Sequence, residues 1–182
     1  MLNNMAKNST RQIIEDERKI MEELLKNANK SINEIAKSCG FSRQKVWRII
    51  KNLENNNTIW GYTTVIDEEK QNYGGYMVLI KRTNQPIKNE LLEKIIKREL
   101  ARKAEKIGIR LITSIYTNGI YDYFISFSAK DIKDAKKFVE DLNIMFEGYI
   151  ADIQLLQNMF VIQAGGIQNP EPEKLKELFS DL

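Results

Sequence analysis

Hydrophobic positions along the chain keep two rhythms, helical up to about residue 57 and mostly strand-like with helical interruptions after it. Ile13, Ile14, Ile20, Met21, Leu24 and Leu25 are spaced for one apolar stripe and predict a helix from Ser9 or Thr10 to near Asn29. Ser31, with Glu34 three residues on, forms a capping box ahead of Ile32, Ile35 and Ala36, which predicts a second, short helix. Cys39-Gly40-Phe41 places a glycine where the chain must turn. Ser42 can then cap a third helix whose buried positions are Val46, Ile49, Ile50 and Leu53. The cluster Asn55-Asn56-Asn57 stops it. Two short helices joined by a glycine turn make a helix-turn-helix, and the stripe of the first helix finds its partner there.

From Thr58 the pattern changes. Thr58 to Asp67, rich in β-branched and aromatic residues, reads as an extended strand, either a wing beside the helices or an arm leading away from them. Trp60 and Tyr62 fall on one side of it, where burial against a neighbour is expected. Glu68 to Gly75 is a charged connection and marks a domain boundary. Gly75 to Arg82 reads as a strand. Leu91, Leu92, Ile95, Ile96 and Leu100 keep helical spacing after Pro86-Ile87, in a helix that runs through the basic stretch Lys94 to Lys106. Ile109 to Tyr116 is β-like, Asn118-Gly119 marks a hairpin turn, and Ile120 to Ser128 alternates as a returning strand with Tyr121, Tyr123, Ile125 and Phe127 on one face. Asp131 can cap a helix carrying Ala135, Phe138, Val139, Leu142 and Met145, and Ile150 to Gln163 forms a last strand, bent or broken near Asn158. The order β-α-β-β-α-β is ferredoxin-like. Pro170 and Pro172 precede an amphipathic tail helix, Glu173 to Leu182. The expected class is therefore α+β: a helix-turn-helix domain over 11–57 after a loose tail (1–10), a wing or linker strand (58–74), a ferredoxin-like domain (75–164) and a tail helix (165–182).

The outward face of the third helix sharpens this. Arg43, Gln44, Lys45, Arg48 and Lys51 stand there against one acid, Glu54. Arginine grips guanine bidentately, glutamine does the same to adenine, and lysine serves phosphates, so the set suits a major groove. An ordinary solvated basic face would also read this way. Arg43, Gln44, Lys45 and Arg48 are the candidates for base contacts, Ser42 and Lys51 for phosphates, and Trp47 either stacks along the DNA backbone or packs against the wing. A net charge of +3 over 182 residues announces no nucleic acid by itself; the clustering does. One cysteine makes no internal disulfide, and there is neither a run of some 18 apolar residues nor a signal-peptide core, which together point to an intracellular, cytoplasmic protein.

These segments resemble the Lrp/AsnC, or feast/famine, family of prokaryotic transcription regulators. The resemblance rests on Asp16, Lys19-Ile20-Met21, the runs INEIAKSCGFS and VWRIIKNLE, IWGYTTVID from Ile59, and NGIYDYFIS from Asn118 to Ser126. It covers roughly Asp16 to Ile162. It implies a helix-turn-helix that reads double-stranded operator DNA, a strand arm crossing to a partner subunit, and ferredoxin-like regulatory domains that pair into homodimers and assemble further. It also implies a small effector, usually an amino acid, near the hairpin, with Asn118, Gly119, Tyr121 and Asp122 as its candidate ligands. Three positions depart from the family pattern: Asn57 stands for a glycine, Asn118 for a threonine, and Pro86 to Gly108 is longer and more basic.

No cofactor or metal is expected. The chain contains no histidine, the commonest general acid or base and metal ligand, and has neither a P-loop nor a GxGxxG stretch. An enzyme on the same two-module build, such as a siroheme decarboxylase, is the rival class, and an architectural DNA-binding protein without effector is another.

Overall fold

The computed structural model describes residues 2 to 180, with side chains from Thr10 onward. It divides into two compact units, one reaching Val65 and taking in residues 162–172, the other spanning 66–161 and the chain from Glu173.

In the first unit α1 (Leu2–Lys26), α2 (Ile32–Cys39) and α3 (Arg43–Asn55) close around Ile20, Ile35, Ala36 and Val46, with Leu24, Phe41, Ile49 and Ile50 packed at the edge. The local signals act as expected. Ser31 and Glu34 satisfy each other's backbone donors in a full capping box, Gly40 turns the chain in the left-handed region at φ 69°, and Ser42 caps α3 through the Lys45 amide. α1 starts at Leu2, so its backbone is already helical where a loose tail was expected. Its apolar stripe is only partly used: Ile20 is buried, while Ile13, Ile14 and Leu25 are exposed. Length explains this. A 25-residue helix spans about 37 Å and an 8-residue partner about 12 Å, so much of α1 has nothing to lie against.

Asn57 takes φ 60° after α3 and Ile59 donates its amide to Leu53 O at 2.9 Å. Asparagine thus serves where the family pattern has glycine, because its short polar side chain tolerates the left-handed well. The wing strand is corrected. Among the described residues no strand pairs with Thr58 to Asp67, and Trp60, expected to be buried, is 95% exposed. A short hairpin of β5 (Gln163–Ala164) and β6 (Ile167–Gln168), which the sequence does not announce, belongs to this unit and comes close to Val65 through Gly165.

The second unit is built on β1 (Gly74–Arg82), β2 (Arg110–Tyr116), β3 (Tyr123–Ala129) and β4 (Ile150–Gln157), antiparallel in the order β2-β3-β1-β4. This is the ferredoxin-like arrangement. α4 (Asn89–Ile96), α5 (Glu99–Lys106) and α6 (Ile132–Met145) complete it. Tyr76, Val78 and Ile80 alternate inward on β1, as do Ile125 and Phe127 on β3, against Ala104, Ala135, Phe138 and Leu142. On the opposite face Ile115, Phe124, Leu79 and Gln154 share one cross-strand row, and Thr113, Ser126, Met77 and Leu156 the next. β4 stops at Asn158, whose backbone amide bonds to Gly75 O at 2.9 Å; a Cβ on Gly75 would stand 2.5 Å from the Asn158 side-chain Nδ2, so that side chain would have to shift.

Three further expectations change. The single helix expected from Pro86 to Lys106 is two, broken at Arg98, which adopts φ 54°. A two-residue Asn-Gly turn is replaced by a six-residue loop, 117–122, closed by the Tyr116 and Tyr123 pair; neither Asn118 nor Gly119 has the positive φ that such a turn needs. Residues 172–179 form a 3-10 helix in place of the α-helical tail, whose end at 181–182 lies outside the described residues.

Candidate nucleic-acid interface

α3 presents its chemistry because its opposite side is fixed. Val46 and Leu53 are fully buried, and the helical turn therefore drives Arg43, Gln44, Trp47, Arg48 and Lys51 outward. Ser42, Arg43, Gln44, Lys45, Trp47 and Arg48 line an open concavity of about 960 Å3 at the start of the helix, with Ile32 of α2 on its far side. Trp47 is 55% exposed, so it is not packed against a wing; with no wing strand formed, it stands on the surface with the cations.

Lys45 behaves differently from its neighbours. Its Nζ lies 2.6 Å from Asp16 Oδ2 and 4.0 Å from the centre of the Phe41 ring. Asp16 is almost fully buried on α1 and also accepts from Gln12 Nε2 at 3.0 Å. The hydrogen bond from Lys45 holds the Asp16 carboxyl below the ordinary carboxylate range, against the opposing cost of burial, with Gln12 helping. A buried carboxylate without such partners would be costly, so the ammonium is committed to tying α3 to α1. Of the seven candidate residues, Lys45 is thus the one turned toward the protein.

Glu54, the lone acid of α3, also works locally. It takes Lys51 Nζ at 2.7 Å and the Tyr62 hydroxyl at 3.0 Å, and these two bonds, Lys51's first, lower its pKa. Burial, then Glu54, raises that of Tyr62. The extended segment is therefore anchored to the end of α3 at Tyr62 while Trp60 beside it stays free. Asp16 stands one turn before Ile20 on the inward face, a spacing that could have marked it as a buried acid; nothing in the sequence marks its partner, 29 residues away.

The second candidate cluster, Asn118, Gly119, Tyr121 and Asp122, sits in the loop 117–122 of the other unit. Asp122 is occupied structurally. Its Oδ2 accepts the Arg82 amide at 2.8 Å, its own amide donates to Ile80 O at 2.9 Å, and its carbonyl accepts from Thr117 N at 2.9 Å. Thr117 Oγ1 closes the loop onto Tyr121 O at 2.6 Å. Asn118 and Gly119 are exposed. Beside the loop, Arg82, Leu91, Tyr116, Tyr123 and Tyr149 help line a cleft of about 40 Å3, room for roughly three waters and well below the usual size of a ligand site. Among the described residues no group of three acidic or cysteine side chains could hold a metal ion, and no helix is long and apolar enough to cross a membrane.

Comparison with known proteins agrees with this geometry. A family described as winged helix-turn-helix DNA-binding matches residues 17–59, which contain α2 and α3. No curated protein matches the chain. Among solved structures it is similar to an AsnC family transcriptional regulator from Agrobacterium tumefaciens, with 21% identity, a TM-score of 0.61, and coverage of 82% of this chain and 92% of that one. It is similar too to a transcriptional regulator from Neisseria meningitidis in complex with L-methionine, at 17% identity and TM-score 0.63, over 87% of this chain and 96% of that one. A feast or famine regulatory protein from Mycobacterium tuberculosis, complexed with L-methionine, follows at 12% identity and TM-score 0.64, over 82% and 94%. The chain therefore carries a helix-turn-helix region on the two-module fold of the AsnC-type and feast or famine regulators.

Proposed function

We propose that this chain is a sequence-specific transcription regulator of Lrp/AsnC type that binds double-stranded DNA as a dimer or higher oligomer, with no catalytic role. The observation that carries the reading is the exposed face of α3, where two arginines, a glutamine and a tryptophan line one open concavity. Arg43, Gln44 and Arg48 contact base edges, Ser42 and Lys51 contact phosphates, and Trp47 lies along the sugar-phosphate backbone. Two such helices, one per subunit, enter major grooves about one helical turn, roughly 34 Å, apart. Pairing is favoured by the half-exposed sheet face that carries Ile115, Phe124 and Leu156, and by the arm around Trp60, whose backbone has no ladder partner in its own subunit.

The effector of this reading is an amino acid or similar small molecule at the loop 117–122, in keeping with the methionine complexes of two structurally similar proteins. Because the cleft inside one subunit is too small, the effector is held between subunits, where Asn118, Gly119 and Tyr121 are open to it and Asp122 shapes the loop.

Selection of bound fragments from random duplex DNA, with and without a mixture of the twenty amino acids, tests this. An enriched palindrome whose recovery changes with the mixture is the expected result. Salt-sensitive binding without sequence preference would replace it with the architectural reading, and absence of binding would overturn it.

A further inference from the structure

Positive charge on this molecule is gathered in a second stretch besides α3. Residues 88 to 110 hold eight lysines and arginines against four glutamates, a net +4, which exceeds the +3 of the whole chain. Within it α5 buries Ala104, with Leu100 and Ile107 packed beside it against the sheet core, and so turns Arg102 and Lys106 outward with Lys103 at their flank. Arg102 and Lys106 are one turn apart, about 6 Å along the helix axis.

The cations of α5 share the state of Arg43 and Arg48 on α3, which among the described residues hold no carboxylate. Other cations are held by carboxylates: Arg18 by Glu15 and Glu22, Lys26 and Lys30 by Glu23, Lys45 by Asp16, Lys51 by Glu54, and Lys97, within the same stretch, by Glu93. Among the described residues Arg98, Arg102, Lys103 and Lys106 have no ion pair and no side-chain hydrogen bond, although Glu99 and Glu105 share their helix. The arrangement also carries strain. Arg98 holds φ 54° without being glycine, and it ends α4 and opens α5 at that point. A continuous helix through 86–106 would have followed one axis; the break sets α5 on its own, with its apolar side down and its cations out.

We propose that α5 is a second DNA-binding surface, which takes the phosphate backbone of duplex that α3 does not read. Its chemistry fits that ligand: Arg102, Lys103 and Lys106 stand against Glu99 and Glu105, with no aromatic or amide group in Glu99–Lys106 to read a base. The inference rests on the reading of α3 as the primary DNA contact, and the test separates the two.

The measurement is the salt dependence of binding by the full chain to random-sequence duplexes of about 15 and about 60 base pairs. The expected result is a steeper slope of log K against log salt on the long duplex. In the triple variant Arg102→Gln, Lys103→Gln, Lys106→Gln the slope on that duplex falls by about 3, roughly one for each phosphate no longer neutralised, and affinity at moderate salt falls tenfold or more. Binding to the short duplex stays as in the parent. Arg102→Lys, which keeps the charge, retains the long-duplex slope, and unchanged circular dichroism shows that the exposed substitutions leave the fold intact. Equal behaviour of triple variant and parent on both lengths overturns the proposal, and so does equal weakening on both. The variant Arg43→Gln, Arg48→Gln weakens binding on both lengths; if it has no effect while the triple variant does, the reading of α3 fails and α5 stands as the DNA contact.

Discussion

α3 and α5 both carry exposed cations, yet the fold holds them differently, and on the proposed reading they serve different recognition. α3 has a capped N-terminus, two fully buried anchors, one lysine drawn inward by a buried carboxylate, and a mixed outward face of arginine, glutamine and tryptophan. α5 has no side-chain cap, one buried alanine, a strained residue at its start, and an outward face of Arg102, Lys103 and Lys106 with Glu105 among them. Reading bases requires fixed geometry within a fraction of a hydrogen-bond length, so a reading helix must be held on every other side. Holding phosphates requires only charge, and a helix of weaker anchoring suffices. Basic character alone therefore says little; what lies behind the helix decides its use.

The contrast can be broken most forcefully at the anchors. Leu53→Ala, which opens a cavity behind α3, is expected to destabilise the protein by about 2–5 kcal/mol in urea unfolding, whereas Leu100→Ala behind α5, only partly buried, costs clearly less. Equal costs would remove the difference in anchoring. Next, Asp16→Ala leaves the Lys45 ammonium beside Phe41 without its carboxylate and should cost about 1–3 kcal/mol. The pH dependence follows from the same pair. Because folding lowers the Asp16 pKa, its contribution is complete above the ordinary carboxylate range and is lost as pH falls through and below about 4. Asp16→Asn should flatten that acid limb of the stability curve without altering the limb at high pH.

Arg48→Ala sharpens the contrast on the DNA side, with an expected loss of about 1–3 kcal/mol for the selected site and little for random DNA. Uniform loss on every sequence would move Arg48 to the phosphate class and make α3 more like α5. The smallest effect is expected at Arg98→Gly. Relief of the left-handed backbone, set against the greater freedom of an unfolded glycine, should raise stability by up to about 1 kcal/mol in thermal unfolding. A decrease there would show that the Arg98 side chain contributes to the break itself.

Much of this architecture was legible where the determinants are local. The Ser31 and Glu34 box, the Gly40 turn, the Ser42 cap and the Asp131 cap each depend on residues within three positions, and each formed. The inward alternation of Ile125 and Phe127 and the spacing of Ala135, Phe138 and Leu142 follow from element periods and also held. What escaped depends on partners distant in sequence. Lys45 looks like a groove residue until α1 is laid beside it. Thr58 to Asp67 has strand composition, but a strand needs a ladder partner, and none lies among the described residues. The helix break at Arg98 leaves apolar spacing intact on both sides, so periodicity passes over it. Asn118-Gly119 resembles a two-residue turn because composition cannot see that Asp122 ties the loop to β1 and moves the closing pair outward to Tyr116 and Tyr123.

The chain has two tryptophans, and the fold gives them different surroundings: Trp47 among the cations of α3, and Trp60, 95% exposed, on the extended arm. Indole emission from a wholly solvated ring is red-shifted, and it moves to shorter wavelength when the ring is covered. With no label added, dilution should therefore be followed through Trp60 in a Trp47→Phe protein, and DNA titration through Trp47 in a Trp60→Phe protein. Assembly and DNA engagement, usually entangled in one binding curve, become two optical signals that can be read apart.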